Sequence, residues 1–444
     1  MRLAWFSPWP PERSGIAGRS AEVVPLLRAR GHTIDVYVSE KNLAAFAPPG
    51  ASASPAHDFL PRHVTRAYDL VVYQLGNSWL HEFIWPYMFR FPGLSVLHDA
   101  RLHHARGHSS LSRRDHRAYR EEFAWSEREV APDAAELAIH GYDGPWYYQW
   151  PMTRAIVEAS RVTAVHSNSE AERLGAAHAD RAIEYIALGE GVASLPSAAD
   201  RAAARATLGL VPESVAFGVF GGLTADKRLI PILRAFAATA ARVPTARLVL
   251  AGTPHGSVDV TALSASLGVA EKVLVAGPLE DHGFDAAIGA VDVSLHLRFP
   301  TAREMSGPWL RALSAGRATV ITDLEHLAGV PAIDPRSWRP LPGAASRAPV
   351  AVAIDILDED HSLRRAMIRL ATDAPLRTAL GNAGREYWEA SHTVERMVDD
   401  YERVLVRAAA MPPPDATLPA TLRPDPFASL DQLLTETGAV CALR

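Results

Sequence analysis

Short apolar runs alternate with longer amphipathic stretches along most of this 444-residue chain, and the alternation stops once near the middle and then restarts. That pattern constrains the fold more than any other feature. A short apolar run bounded by turn residues reads as a strand buried on both faces, and the helical stretch after it supplies the crossover to a parallel neighbour. Repetition of the unit builds a parallel sheet covered by helices on both sides. In the first half the strands are predicted at Met1–Phe6, Ile34–Val38, Leu70–Tyr73, Leu94–Leu97, Val162–Val165 and Ile183–Ala187, with a helix from about Gly18 to Arg30 that Gly31 closes. From Gly189 to Gly209 the apolar periodicity is lost, so the linker is expected near Gly191–Pro196. The second half repeats the pattern, with strands at Val215–Phe220, Arg247–Ala251, Val273–Ala276, Val291–Leu297 and Thr319–Thr322. Helices are predicted from about Leu229, from near Pro308 and over Thr393–Ala410, and a short one over Ser429–Glu436 in the Pro-rich tail.

Length agrees, because one core of ordinary size does not extend over 444 residues. The reading divides the chain into an N-terminal α/β domain at 1–192, a C-terminal α/β domain at 193–390, a helix at 391–410 that returns to the first domain, and a tail at 411–444. A net charge of −5 provides no global basic field for nucleic acid. The single cysteine, Cys441, rules out an intrachain disulfide and a cysteine-based metal cluster, and it suits a reducing compartment. Trp5-Phe6-Ser7-Pro8 interrupts the first apolar run, so no leader peptide is expected, and no stretch is apolar for long enough to span a bilayer. A cytoplasmic protein is expected, with peripheral contact at the inner membrane face left open.

In open parallel sheets ligands bind beyond the carboxyl ends of strands, so the strand-to-helix loops are the places to look. The first loop ends in Ser14-Gly15-Ile16-Ala17. Gln74-Leu75-Gly76-Asn77, with His81 beyond, and His98-Asp99 follow the next strands, and two polar sets at adjacent strand ends suit a ligand-lined cleft. Ser167 or Ser169 after a further strand reads as a helix N-cap. In the second half, Gly221-Gly222-Leu223-Thr224-Ala225-Asp226-Lys227-Arg228 follows a buried strand; its glycines permit close backbone approach, and Lys227 is a compact charge for a diphosphate. The spacing is not that of a P-loop. Arg298 opens the segment that runs to Glu304-Met305-Ser306-Gly307, just before a helix, and a helix N-terminus with Ser and Gly is an anion site. Glu304 there suits sugar hydroxyls better than phosphate. The basic, His-rich stretch from His103 to Arg120 and the aromatic stretch Tyr142–Trp150 suit either a phosphorylated or lipid-linked acceptor or, more simply, a solvated helix with an aromatic packing patch.

The order of these motifs resembles the retaining GT-B glycosyltransferases, specifically glycosyltransferase family 4, over roughly residues 1–405. The resemblance rests on Ser14–Ala17, Tyr73–Asn77, Leu97–Asp99, Phe220–Arg228 and Glu304–Gly316. It implies two doubly wound Rossmann-like domains facing across a cleft and transfer of a sugar, with retention, from a nucleoside-diphosphate sugar. It implies His98, Lys227 and Glu304 as catalytic residues: His98 against the donor sugar, Lys227 on the leaving diphosphate, Glu304 on sugar hydroxyls. Donor binding would fall to Gly15, Gly221, Gly222, Pro278, Leu279, Arg298, Met305, Ser306, Gly307 and Arg311, with the base near Gly277–Glu280. Gln74, Asn77 and Asp99 would line the acceptor side, the acceptor being a sugar, a lipid-linked molecule or another small molecule. No cofactor is implied beyond the donor substrate. With no Asp-x-Asp at a strand end, metal independence is expected. The chain departs from the family twice, with Gly222 where an Arg is usual and Arg311 where a Glu is usual; Arg298 or Arg311 is the candidate to restore the missing positive charge. Two other readings stay open: a degenerate binding or partner subunit, and an epimerase or phosphorylase of the same architecture.

Overall fold

The computed structural model describes residues 1–12, 14–40, 53–142, 144–256, 258–342 and 347–423. The helix expected at Ser429–Glu436 and Cys441 lie outside the described residues. The chain forms two compact units: Met1–Ile186 with Ala302–Met305 and the residues from Val398, and Ala187–Thr301 with Ser306–Met397.

The first unit begins β1 (Arg2–Phe6), α1 (Gly15–Ala29), β2 (Thr33–Val38), β3 (Ala53–Pro55), α2 (Phe59–Thr65), β4 (Leu70–Leu75), α3 (Trp85–Arg90) and β5 (Leu94–Leu97). It continues through α4 (His103–Leu111), α5 (His116–Ser126), α6 (Ala135–Ile139), α7 (Trp146–Gln149), α8 (Arg154–Ala159), β6 (Val162–Val165), α9 (Asn168–Ala177) and β7 (Ile183–Tyr185). Its seven strands are all parallel, in the order β3-β2-β1-β4-β5-β6-β7. The strand order reverses direction between β1 and β4, which is where a doubly wound sheet leaves a crevice. Helix α1 starts three residues earlier than its periodicity predicts, because the Ser14 side chain caps it by accepting the Ile16 N–H at 3.2 Å. Ser167 caps α9 as expected. An aromatic cluster anchors the core, with Phe6 5.0 Å from Tyr37 and 5.3 Å from Phe59 between ring centroids.

The second unit comprises α10 (Ala198–Thr207), β8 (Val215–Phe220), α11 (Leu229–Arg242), β9 (Ala246–Ala251), α12 (Val260–Ser266), β10 (Val273–Gly277), α13 (Asp281–Ala290) and β11 (Val293–His296). It ends with α14 (Gly307–Ser314), β12 (Ala318–Thr322), β13 (Ala332–Ile333), β14 (Ala351–Ile354), α15 (Glu359–Thr372) and α16 (Ala374–Ser391). The sheet order β10-β9-β8-β11-β12-β14-β13 is again parallel throughout and reverses direction between β8 and β11. The backbone at and just before the expected linker is bonded into this unit. Glu190 N–H donates to His392 O at 3.2 Å, the Trp388 indole N–H donates to Glu190 O at 2.6 Å, and Val192 N–H donates to Ser314 Oγ at 3.1 Å. The last α-helix among the described residues, α17 (Val394–Ala410), belongs to the first unit from Val398 onward, and there Tyr401 packs on Trp5 with ring centroids 5.5 Å apart.

The basic stretch after β5 folds as the short helices α4–α8 and buries part of its charge. Arg106 and Glu122, each 2% exposed, pair through two bonds of 2.6 and 2.7 Å, with the guanidinium 4.8 Å from the centre of the Trp85 ring. His103 is buried against Tyr119, Nε2 to Oη 2.7 Å, and His104 stacks on Tyr147. The aromatic segment packs as a patch, as expected, whereas part of the helix expected to be solvated is buried. Glu122→Ala leaves the Arg106 charge buried without its carboxylate, and loss of one partner of such a pair costs about 3–5 kcal/mol. Urea unfolding of the variant against the parent protein measures that loss, and a change below about 1 kcal/mol would show that the pair does not hold these helices.

Candidate functional site

In the first unit the crevice side of the sheet is organised around Gln74. β4 runs two residues past its predicted end, so Gln74 lies inside the strand and is 1% exposed rather than standing in a loop. Its side-chain Oε1 is 2.7 Å from His98 Nε2 and accepts the Tyr401 hydroxyl at 3.2 Å, and its backbone O is 3.0 Å from His81 Nδ1. Gln74 therefore positions His98, while its side-chain Nε2 is buried with no hydrogen-bond partner among the described residues. With Oε1 accepting from both neighbours, His98 carries its proton on Nε2 and keeps Nδ1 as an acceptor. Burial, and then the charges of His166, His81 and Arg19, hold His98 well below the ordinary histidine range, so the ring is neutral at pH 7. The His166 ring lies 4.7 Å away.

Asn77 and Asp99 have structural work here. Asp99 Oδ2 accepts the Asn77 N–H at 2.6 Å, and the Asn77 side chain reaches His104 Nδ1 at 3.0 Å and accepts the Ala105 N–H at 3.1 Å, tying the β4 loop to the start of α4. Gly76 fits where no side chain would: a Cβ there would lie 2.4 Å from Ile16 Cδ1, 2.8 Å from His81 Nε2 and 3.2 Å from Asp99 Oδ2. Gly15 differs, since a Cβ on it would meet nothing within 4 Å, leaving open space at the first turn of α1. Residues Ala302–Met305, which carry Glu304 and Met305, pack with this unit. The Arg101 N–H donates to Ala302 O at 3.1 Å, three residues past His98, and Arg303 Nη1 donates to Glu170 Oε2 at 2.8 Å.

The second unit places its charges at the ends of β8, β11 and β12. Gly221, at φ +88°, turns the chain out of β8. A Cβ there would lie 2.8 Å from Lys227 Nζ, which donates to Phe220 O, and 3.7 Å from Pro308 at the start of α14. Lys227 thus sits between the end of β8 and the first turn of α14, where Ser306 caps the helix by accepting the Trp309 N–H at 3.3 Å. A Cβ on Gly222 would meet only Thr224 Cγ2, at 4.0 Å. Neither candidate arginine is unpaired. Arg298 Nη1 donates to Asp226 Oδ2 at 2.6 Å, while Arg311 Nε donates to Glu190 Oε1 at 2.5 Å and its Nη1 to Asp285 Oδ1 at 3.0 Å. Arg228 is likewise held by Glu359 through bonds of 2.8 and 2.5 Å. Pro278 is exposed and Leu279 half-buried in the loop between β10 and α13.

Two residues of this region escaped the sequence reading. His296 ends β11, and its Nε2 is buried with no hydrogen-bond partner among the described residues. Burial, then the charges of Lys227 and Arg298, keep the ring neutral, well below the ordinary histidine range. A histidine inside an apolar run gave no sign that it closes the strand at the site. Glu190 sat in a segment read as linker, yet its Oε2 would lie 3.2 Å from a Cβ on Gly307, so a carboxylate faces the first turn of α14.

No known family profile matches the sequence, and none of the curated proteins is similar to it. Solved structures are similar in fold. Sucrose-phosphate synthase from Thermosynechococcus elongatus superposes with a TM-score of 0.62 at 17% identity, covering 92% of this chain and 98% of that one. HepE from Anabaena, in complex with UDP and glucose, gives 0.61 at 13% identity, covering 91% and 99%. WaaG, a glycosyltransferase involved in lipopolysaccharide biosynthesis, gives 0.61 at 14% identity, covering 91% and 99%. With its two parallel seven-stranded sheets, the chain has the GT-B fold.

The buried histidines set a pH dependence. His81 and His103 are pushed down to about 4, mainly by burial, from the ordinary 6.5. The unfolded chain therefore binds more protons between about pH 6.5 and 4, and stability falls as pH is lowered through that window. Each ring contributes about 3 kcal/mol by that shift. Urea unfolding at pH 7 and pH 4.5 should show the loss, and His81→Asn should flatten the slope by one proton. An unchanged slope would mean that His81 is protonated in the native state.

Proposed function

We propose that this protein is a retaining glycosyltransferase of family 4 type, moving a sugar from a nucleoside-diphosphate sugar to an acceptor hydroxyl. The observation that carries the proposal is Lys227. Its ammonium is held at the end of β8, beside left-handed Gly221 and the start of α14, where the sheet changes winding direction. Glycosyl transfer passes through an oxocarbenium-like transition state while negative charge grows on the departing group. A fixed cation next to a helix N-terminus stabilises that charge most when it is fully developed. HepE binding UDP, and UDP-glucose, is consistent with a nucleoside-diphosphate donor here.

The other roles follow the resemblance and the chemistry of each group. A neutral His98 with Nδ1 as an acceptor suits a sugar hydroxyl and places no cation beside an oxocarbenium centre. Glu304 accepts further hydroxyls, and the departing phosphate assists removal of the acceptor proton. His296, with its buried unpaired nitrogen beside Lys227 and Arg298, is a further donor toward a phosphate oxygen. Pro278 and Leu279 pack near the base. Because Lys227 and the α14 first turn already supply positive potential, activity is proposed to proceed without a divalent metal. The location is proposed to be cytoplasmic, with an acceptor in glycan or glycolipid synthesis.

A second reading has one specific observation behind it. Glu190 places a carboxylate at the α14 first turn, and Arg298 and Arg311 are both paired, as suits a binding subunit that has lost catalysis. Turnover separates the two readings. A panel of nucleoside-diphosphate sugars, scored for donor hydrolysis and transfer in the presence of EDTA, should show release of one nucleoside diphosphate. Binding without turnover of any donor would favour the subunit reading, and activity abolished by EDTA and restored by Mg²⁺ would count against the leaving-group site. In the active protein, Lys227→Ala should lower kcat by roughly 10²–10³-fold, with Lys227→Arg rescuing only in part. Near-normal turnover of Lys227→Ala would remove Lys227 from the mechanism.

A further inference from the structure

Away from these strand ends the second unit carries a cavity of about 640 Å³ on the outer face of α11 and α15, lined by Arg242, Trp338, His361, Arg364, Arg365 and Arg369 among others. Its origin is the periodicity of α15. Leu363, Ala366, Met367 and Leu370 are fully buried in the core, so the positions between them, His361, Arg364, Arg365 and Arg369, share the opposite, exposed face. Arg242, the last residue of α11, closes the cavity from the neighbouring helix.

The arginines are partly oriented and mostly uncompensated. Arg365 donates to the carbonyls of Pro335 and Arg336 at 3.0 and 3.1 Å, bonds that fix its direction and leave its charge unneutralised. Arg369 lies over the Trp338 ring at 4.2 Å from the centroid and bonds Asp373 at 3.3 Å. Trp338 adopts φ +58°, a conformation unfavourable for a bulky residue, and is held there by its N–H bonding Asp334 O at 2.7 Å. His361 bonds Asp358 at 3.1 Å. Arg242 and Arg364 form no ion pair with any described residue. Like charges gathered in one concavity repel, and an anion relieves that repulsion.

We propose that this cavity binds a phosphate-bearing anion, either a free phosphorylated solute or the headgroup of an anionic lipid. Guanidinium groups recognise phosphate oxygens through paired N–H donors, and several of them match a multiply charged phosphate better than a single carboxylate. The volume suits a small ligand. The site is distinct from that of Lys227, because α11 begins next to Lys227 and reaches Arg242 about 20 Å further on at its rise per residue.

The test uses the full chain with two probes, inorganic pyrophosphate and vesicles of phosphatidylglycerol in phosphatidylcholine. Phenylglyoxal labelling read by peptide mass spectrometry reports each arginine. Either probe should lower labelling of Arg242 and Arg364 several-fold, against controls with NaCl at equal ionic strength or pure phosphatidylcholine vesicles. Protection by pyrophosphate identifies a free phosphate, and protection by the anionic vesicles alone identifies a headgroup. The double variant Arg242→Ala, Arg364→Ala removes exposed side chains that form no ion pair among the described residues, so its thermal midpoint should match the parent's while the binding that protects Arg365 and Arg369 weakens at least tenfold. No protection by either probe, protection equal to that in the salt control, or unchanged protection of Arg365 and Arg369 in the double variant would overturn the proposal.

Discussion

A parallel sheet sends the carboxyl end of every strand to one edge, and both units of this protein depend on that rule. The crossover helices take up the two faces, so polar loops gather at the only border left for them. Where the winding reverses, between β1 and β4 and again between β8 and β11, adjacent loops diverge and leave backbone exposed to a ligand. His98, Asp99 and Gly76 in one unit, and Gly221, Lys227 and His296 in the other, are all products of this geometry. The glycine requirement follows from crowding at the same border. Gly252 at the end of β9 comes so close to Gly221 that a Cβ would lie 1.9 Å from the Gly221 carbonyl oxygen.

Electrostatics sorts the charged side chains by the groups that orient them. Arg228, Arg298 and Arg311 each face a carboxylate, so their charge first serves the unit's own cohesion. Lys227 is oriented differently, its ammonium donating to the carbonyl oxygen of Phe220 at the end of β8. The histidines show the complementary behaviour. His98 and His296 are kept neutral by burial and by positive neighbours, which makes them hydrogen-bonding groups rather than cations.

Much of the sheet framework was legible because its strands are short apolar runs with abrupt polar ends; Val215–Phe220 and Leu94–Leu97 fall where the sequence places them. The edge strands β3 and β13 were not, since two or three residues carry no periodicity. Helices α4–α8 were hidden for another reason: they are tied together by contacts such as Arg106–Glu122 and His103–Tyr119, which join successive helices and leave no mark on the periodicity of either one. The motif loops were legible as loops, but not the partners of their side chains. Nothing in Arg311 foretells Glu190, and nothing in Gln74 foretells Tyr401, more than three hundred residues away.

Gly222 carries a consequence for how such sites diverge. A side chain starting there would have only Thr224 Cγ2 within contact distance, at 4.0 Å, and the residue's φ is not in the left-handed region that Gly221 occupies. The backbone therefore imposes no glycine at 222, and the charge of this loop is set by the choice of side chain and not by the turn. A longer side chain, charged or not, fits at this position without refolding the loop, so the potential at the strand end can change while Lys227 and the turn at Gly221 stay in place.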